Sequence, residues 1–323
     1  MRAVTVDQPG GPDVLRLAEI ADPEPGPGEL LVKVVAAGVN RADLQQRIGV
    51  YPPPKGASDI IGLECSGTVA ALGEGVEGWQ PGDSCVALLA GGGYAELVAV
   101  PAGQVVRPPE GVDLVTAGGL IEVAATVVSN CDLALLATGE TFLVHGGAGG
   151  IGSFAIRYAT QLGARVITTA GSEDKLAYCR ALGADLAVSY REDWAAAVAD
   201  FTQGAGVDVI LDNMGAKYLE ANLGALAVDG RLMIIGMQGG NRAEINLGRL
   251  LVKRGTVSAT SLRGRPVAQK AKIVQRVADA VWPLYASGRL TPTEETRFAL
   301  ADAAQAHARL ESGENIGKIL LLP

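Results

Sequence analysis

Between Thr141 and Gly163 the chain reads T-F-L-V-H-G-G-A-G-G-I-G-S-F-A-I-R-Y-A-T-Q-L-G, an order of residues that few folds accommodate. The β-prone residues Thr141, Phe142, Leu143 and Val144 run into a loop with glycines at 146, 147, 149, 150 and 152. Apolar residues then fall at Ile151, Phe154, Ala155, Tyr158 and Leu162, the spacing of one helix face. A buried strand, a glycine turn and an amphipathic helix therefore follow one another. Gly147-x-Gly149-x-x-Gly152 has the form in which glycines allow a tight turn, backbone approach to a pyrophosphate, and close packing of helix on strand. The helix start adds free N–H groups and roughly half a positive charge. Gly147, Ala148, Gly149, Gly150, Ile151 and Gly152 are thus candidate cofactor residues.

The context of the motif supports this reading, because more strand and helix patterns follow it. Strands are predicted at 141–145, 165–170, 186–189, 207–212, 231–236 and 256–261, with helices at about 150–162, 173–183, 192–203, 217–227 and 244–253. Six strands joined by helical crossovers make an α/β unit, a six-stranded doubly wound parallel sheet. One long helix, at about 266–287, is expected to lead out of it, its proline start suiting a first helical turn. His145 is expected to end the first strand as a structural residue.

The first 120 or so residues read differently. Short β-like runs at 30–39, 65–72, 84–89 and 94–100 are separated by Gly/Pro punctuation such as Pro81-Gly82-Asp83 and Gly91-Gly92-Gly93, which suggests a compact β-barrel unit. The tail after Arg289, with strands at 295–299 and 316–322 around a helix at 302–312, is too short to fold alone. It is expected to complete the β unit, giving one domain of residues 1–121 with 289–323 and a second of residues 122–288. His307 on the tail helix is expected to be solvated.

A chain of 323 residues has room for two such cores. Its net charge of −8, with no long Lys/Arg run, argues against a nucleic-acid surface and for small-molecule partners. No secretory signal pattern and no apolar run of about 18 residues is visible, so no membrane association is expected and the reading is cytoplasmic. Cys65, Cys85, Cys131 and Cys179 are far apart and contain no C-x-x-C pair, as expected of free buried thiols.

The second strand of the α/β unit selects between nicotinamide cofactors. An unphosphorylated adenosine ribose is met by an acid about 20 residues past the glycines. Here that strand ends in Gly171-Ser172 with no acid at its tip, and Lys175 and Tyr190 stand near, groups that suit the 2′-phosphate of NADPH. Ser172 also reads as a helix N-cap, and Glu173 and Asp174 as answers to the helix dipole.

A wider pattern is carried by A-G-V-N-R-A-D-L-Q-Q-R-I-G-V-Y-P-P-P (37–54), G-L-E-C-S-G-T-V (62–69), H-G-G-A-G-G-I-G (145–152), A-G-S-E-D-K-L (170–176), G-A-G-V-D-V-I-L-D (204–212) and N-I-G-K-I (315–319). In these motifs and their order the chain resembles, over essentially its whole length, the medium-chain dehydrogenase/reductase superfamily, and within it the zinc-free quinone oxidoreductases of the zeta-crystallin type. The resemblance implies a GroES-like catalytic domain beside a Rossmann domain. Zinc-dependent members place a Cys and a His where this chain has Asn40 and Leu63, and zinc needs three or four converging nitrogen, sulfur or carboxylate ligands. With only His145 and His307 in the chain and no four-cysteine lobe, no metal is expected.

The resemblance further implies a substrate cleft lined by Asn40 and Tyr51, where a phenol or amide donates to a developing oxyanion. Tyr51 also reads as a ring packed beside Pro52-Pro53-Pro54, and Asn40 as a cap at a strand end. Carried over from the family as cofactor contacts are Thr126, Gly236 and Met237 on the nicotinamide side, and Arg263, Asn315 and Lys318 toward phosphates or ribose; for Arg263 and Lys318 a surface salt bridge is the other reading. The expected activity is hydride transfer from NADPH to a small quinone, with the proton from Tyr51 or water. The rivals are an NADPH-dependent alkenal or enoyl reductase and a non-catalytic, crystallin-like NADPH-binding protein. A homodimer through edge-to-edge pairing of the sixth strands is implied as well.

Overall fold

A computed structural model describes all 323 residues, which divide into two compact units, residues 1–125 with 262–323 and residues 126–261. In the second unit the six strands Leu186–Ser189, Arg165–Ala170, Thr141–His145, Val207–Asp212, Leu226–Ile234 and Thr256–Ala259 lie in that order in one sheet, all parallel. The chain starts in the middle of the sheet, winds out to one edge, then returns and winds out to the other. That reversal puts the tips of Thr141–His145 and Val207–Asp212 side by side, where doubly wound sheets bind their ligands. The core beneath joins Leu143, Ile167 and Ile210 of the strands to Val198, Tyr218 and Leu223 of the covering helices. Four strands have the bounds their patterns predict. The fifth begins earlier, at Leu226, because Val207 pairs with Leu226 before the register shifts.

The first unit is built on a seven-stranded sheet in which the tail takes part. Lys318–Leu322 pairs antiparallel with Glu29–Val39, setting Ile319 opposite Val39, and Glu29–Val39 in turn pairs with Glu64–Leu72, setting Ala37 opposite Cys65. Glu295–Ala299 joins the free side of the tail strand in parallel. The residues just before these registers, Glu64 and Lys318, and the one just after, Asn40, are thereby brought to one end of the sheet. Leu30, Val32, Cys65, Val100 and Leu321 fill the core beneath.

The long helix expected at 266–287 is two helices, Val267–Ala280 and Trp282–Ala286, with Pro283 in the first turn of the second, where its missing N–H costs nothing. Val267–Ala280 buries Lys270, Val274 and Val277 and packs on Ala102–Gln104 and Val105–Val106, so this segment groups with the first unit, whereas its sequence pattern had grouped it with the second. Tyr94, expected in a strand, lies ahead of the strand Leu97–Pro101 and is fully buried. All four cysteines are free and buried. No helix is long and apolar enough to cross a membrane.

Candidate cofactor and acceptor sites

The glycine turn follows the strand Thr141–His145, and the helix Gly150–Gln161 begins at its end with Gly149 as N-cap. The glycines of the motif fall into two kinds. A Cβ on Gly147 would stand 2.1 Å from Thr168 Oγ1 and 2.8 Å from Cys179 Sγ, and one on Gly152 would stand 2.3 Å from the Gly146 carbonyl oxygen, so both positions are closed by packing. A Cβ on Gly149 would have no atom nearer than 3.6 Å, which leaves the surface over the turn open. The first-turn N–H groups of the twelve-residue helix have no intrahelical partner and open onto that surface.

Asn213, which no sequence motif singled out, stands between the segments predicted to hold the cofactor. Its amide nitrogen lies 3.2 Å from where a Cβ of Gly146 would be, and its carbonyl oxygen accepts from Gln238 N at 3.2 Å, just past Gly236 and Met237. Its Oδ1 is buried with no hydrogen-bond partner, a cost that a bound donor removes. The signal available in the sequence was its position, first after the strand at the sheet's reversal. Met237 is 62% exposed, and Thr126 is buried in the helix Ile121–Leu133, its carbonyl accepting from Asn130 Nδ2 at 2.8 Å.

At the tip of Arg165–Ala170 the phenol of Tyr190 lies across Gly171, so close that a Cβ there would come within 2.2 Å of its oxygen. Ser172 is the N-cap residue of Glu173–Ala181, but its side chain makes no capping bond and is exposed. Lys175 stands half-buried in the first turn, and Glu173 pairs with Arg180 rather than facing the strand tip. The structure therefore sets Tyr190 against Gly171, with Ser172 next in the chain and Lys175 in the first turn of the helix that follows.

His145 is buried beneath the turn, its Nε2 2.8 Å from Asn222 Oδ1 and its Nδ1 3.1 Å from Thr169 Oγ1, edge-on to the rings of Trp194 and Tyr218. Burial pushes its pKa down to about 4, so it is neutral.

The remaining predicted residues lie in the first unit. Lys318 Nζ is buried, 2.5 Å from Glu64 Oε1 and 2.6 Å from Asn40 Oδ1. Asn40 Nδ2 donates to the same Glu64 oxygen at 2.9 Å, and its backbone N–H donates to Asp43 Oδ2 at 2.7 Å in a capping box that starts the helix Arg41–Arg47. Both ends of the Asn40 amide are thus occupied inside the protein, and Lys318 is neither on the surface nor unpaired. Arg263 is buried too. It donates to the carbonyls of Ala90 and Tyr51 and to Gln46 Oε1, and its guanidinium lies 5.3 Å from the centre of the Tyr51 ring. Asn315 donates to the Gly317 carbonyl at 3.1 Å, leaving its Oδ1 buried and unpartnered.

His307 corrects an expectation. It is wholly buried, because the tail helix Ala303–Glu311 packs its inner face into the first unit's core. Arg47 Nη1 lies 3.4 Å from His307 Nδ1 and, having only donors, makes that nitrogen the acceptor. The proton then sits on Nε2, 3.0 Å from the Tyr94 hydroxyl, which donates in turn to Asp43 Oδ2 at 3.0 Å. Burial, with the Arg47 charge adding to it, pushes His307 down to about 3, and burial pushes Asp43 up to about 7.

No three His, Cys, Asp or Glu side chains gather as metal ligands require. Glu64 is bound to Lys318, Cys65 is fully buried in the core, and Asn40 and Leu63 offer an amide and an alkyl group where zinc-dependent members have ligands.

A GroES-like unit joined to a Rossmann unit with a glycine turn after its first strand is the architecture of a medium-chain dehydrogenase/reductase. Residues 26–110 match the family described as alcohol dehydrogenase GroES-like domain, and residues 150–279 the family described as zinc-binding dehydrogenase. The quinone oxidoreductase of Pseudomonas aeruginosa is 34% identical over 318 residues, 97% of each chain. The crystal structure of Escherichia coli quinone oxidoreductase complexed with NADPH is 29% identical, with a TM-score of 0.91 and both chains covered in full; a mycobacterial protein complexed with NADPH is 34% identical, with the same TM-score and coverage. This chain belongs to the quinone oxidoreductase family of that superfamily.

Two outcomes follow from this geometry. Gly152→Val forces a side chain into the Gly146 carbonyl, and NADPH binding followed by fluorescence titration should weaken by about 100-fold or more, the loss of roughly 3 kcal/mol of contacts at the turn. Stability should also follow pH. Between about pH 4 and 6.5 the unfolded chain holds protons on His145 and His307 that the folded chain lacks, while folded Asp43 holds one that the unfolded carboxyl, ordinarily at 3.8, has released. Counting these groups, two minus one leaves one extra proton on the unfolded chain, so stability rises with pH by about 1.4 kcal/mol per unit across that window. Asp43→Asn removes the opposing proton, and denaturant midpoints taken over the window should show about twice the slope.

Proposed function

We propose that this chain is an NADPH-dependent quinone oxidoreductase acting without a metal. The strand tip at Gly171 carries the reading: no acid stands there, the Ser172 hydroxyl is unspent on its helix, and Lys175 and Tyr190 adjoin it, a set matched to a 2′-phosphate. In this proposal residues 126–261 form the dinucleotide-binding body, and residues 1–125 with 262–323 carry the acceptor-side groups.

The residues would divide the work as follows. Gly147, Ala148, Gly149, Gly150, Ile151 and Gly152 would hold the pyrophosphate on the open turn, and Asn213 Oδ1 and Asn315 Oδ1, both buried and unpartnered, would accept from ribose or amide donors. Thr126, Gly236 and Met237 would border the nicotinamide. When bound, NADPH supplies a hydride, and an electron-poor quinone takes it with little need of a Lewis acid. The oxygen that gains charge needs a donor. The Asn40 amide is engaged with Glu64 and Lys318, so that role falls to the Tyr51 hydroxyl, with the balancing proton from Tyr51 or water. Arg263 and Lys318, whose donors are engaged within the first unit, are left out of cofactor binding.

We further propose a cytoplasmic homodimer. Thr256–Ala259 is an edge strand with one neighbour, and the helix just before it, Leu247–Lys253, exposes Leu247, Leu251 and Val252, each more than two-thirds uncovered. An open edge beside bare aliphatic groups is what a second copy would cover. Four unpaired thiols suit a reducing compartment.

The purified chain should oxidise NADPH with a naphthoquinone, with kcat/KM at least about tenfold above that for NADH, a difference of about 1.4 kcal/mol. Faster turnover of a medium-chain 2-alkenal would make it an alkenal reductase instead, and NADPH binding with no acceptor-dependent oxidation would make it a non-catalytic binder. In size-exclusion chromatography the chain should elute as a dimer and Leu251→Glu as a monomer; a wild-type monomer at micromolar concentration would contradict the assembly.

A further inference from the structure

Arg263 is a buried cation with no carboxylate in ion-pair contact. The guanidinium donates from Nε to the Ala90 carbonyl at 2.8 Å, from Nη1 to the Tyr51 carbonyl at 3.1 Å and from Nη2 to Gln46 Oε1 at 2.7 Å. Lys270, also buried, donates to the Arg263 carbonyl at 3.4 Å, so a second cation holds the main chain of the first. Asp43 acts on Arg263 only through space, and burial lowers the Arg263 pKa despite it. A charge taken out of water and left without an ion pair is costly, and neutral acceptors offset that cost only in part. Folding alone would be served as well by an apolar residue of similar volume.

The partners show where the charge is directed. Gln46 and Tyr51 begin and end one short stretch, and the guanidinium clamps both while its face lies against the Tyr51 ring at 5.3 Å. Three acceptors in three directions and a flat ring suit a planar fork and not a lysine ammonium. Arg47, inside the stretch, is anchored separately to the Gly10 carbonyl, His307 and Glu311, and Gln46 Nε2 donates to the Asp59 carbonyl, while Ile48, Val50 and Lys55 are exposed, so the arginine acts on the Tyr51 end of the stretch.

We propose that Arg263 is a positioning residue for acceptor reduction: it ties the Tyr51 main chain to Gln46 and sets a positive charge that has no ion-pair partner against the Tyr51 ring, favouring the hydrogen bond that the phenol gives to an acceptor oxygen as charge builds there. The proposal rests on the reading of Tyr51 given above. It assigns Arg263 to the acceptor and not to the cofactor.

A double-mutant cycle and a proteolysis assay test it. Arg263→Met should lower kcat/KM for a naphthoquinone by about tenfold or more and leave the NADPH dissociation constant within about twofold, because the lost contacts are charge-assisted hydrogen bonds in the first unit. In a Tyr51→Ala background the same change should cost less than about twofold, since the residue through which it acts is gone. Trypsin cleavage between Lys55 and Gly56, read by mass spectrometry, should be faster in Arg263→Met and Arg263→Lys than in wild type. Gln46→Ala, which keeps the arginine and removes one acceptor, should shift both readouts the same way by less. Additive losses in the cycle, a tenfold weaker NADPH complex with an unchanged quinone KM, or unaltered cleavage at Lys55 would overturn the proposal. A wild-type chain inert toward every quinone would sink the assigned activity instead, while cleavage at Lys55 would still report on the clamp.

Discussion

The buried ammonium of Lys318 constrains the first unit more than any other single group. It is brought in by the last strand, and its charge is tolerable only because Glu64 and Asn40 meet it there. Glu64 has no other cation, and its second oxygen accepts from Glu122 N, at the start of the helix Ile121–Leu133. Asn40, tied to both charges, caps the helix Arg41–Arg47. The tail therefore does more than finish a sheet. It supplies the counter-charge that lets a carboxylate sit in the interior, and so holds the start of the helix that leads to Tyr51.

The second unit depends on backbone shape instead. Its sheet is apolar and ordinary, and its chemistry is gathered at strand tips: the glycine turn after His145, Gly171 and Ser172 after Ala170, Tyr190 after Ser189, Asn213 after Asp212. Parallel strands joined by helices present all these tips at one edge of the sheet, so residues more than sixty positions apart come together through the pairing of the strands themselves. What packing demands and what a ligand demands separate cleanly within the turn, where Gly147 and Gly152 are hemmed in and Gly149 is open.

Buried polar groups behave differently in the two units. In the second, His145 is neutral and satisfied by Asn222 and Thr169, a brace under the turn. In the first, Asp43, Tyr94, His307 and Arg47 form one hydrogen-bonded line that reaches the half-exposed Glu311, and Arg263 stands apart with carbonyls and a ring. Concentrating charge where water is excluded strengthens each interaction and raises the penalty for leaving one unmade.

Much of this was legible in the chain itself, because strands and turns are local. Period-two and period-3.6 patterning with glycine punctuation marked the parallel strands, four of them to the residue, and the G-x-G-x-x-G spacing marked the strand–turn–helix junction at 145–150, since its steric demands act within a few residues. The missing acid after Ala170 was equally readable. The tertiary structure alone decided which charges are buried and whom they meet. Lys318, Arg263 and His307 can each be read from the sequence as surface groups, and only the pairing of the tail strand with one that starts at residue 29, the packing of Arg263 on Gln46, Tyr51 and Ala90, and the packing of the tail helix against Arg47 and Tyr94 remove them from water. Asn213 has no motif and gains meaning only beside Gly146 and Gly236. Local sequence sets backbone conformation, but desolvation is a property of the assembled core, and no single segment encodes it.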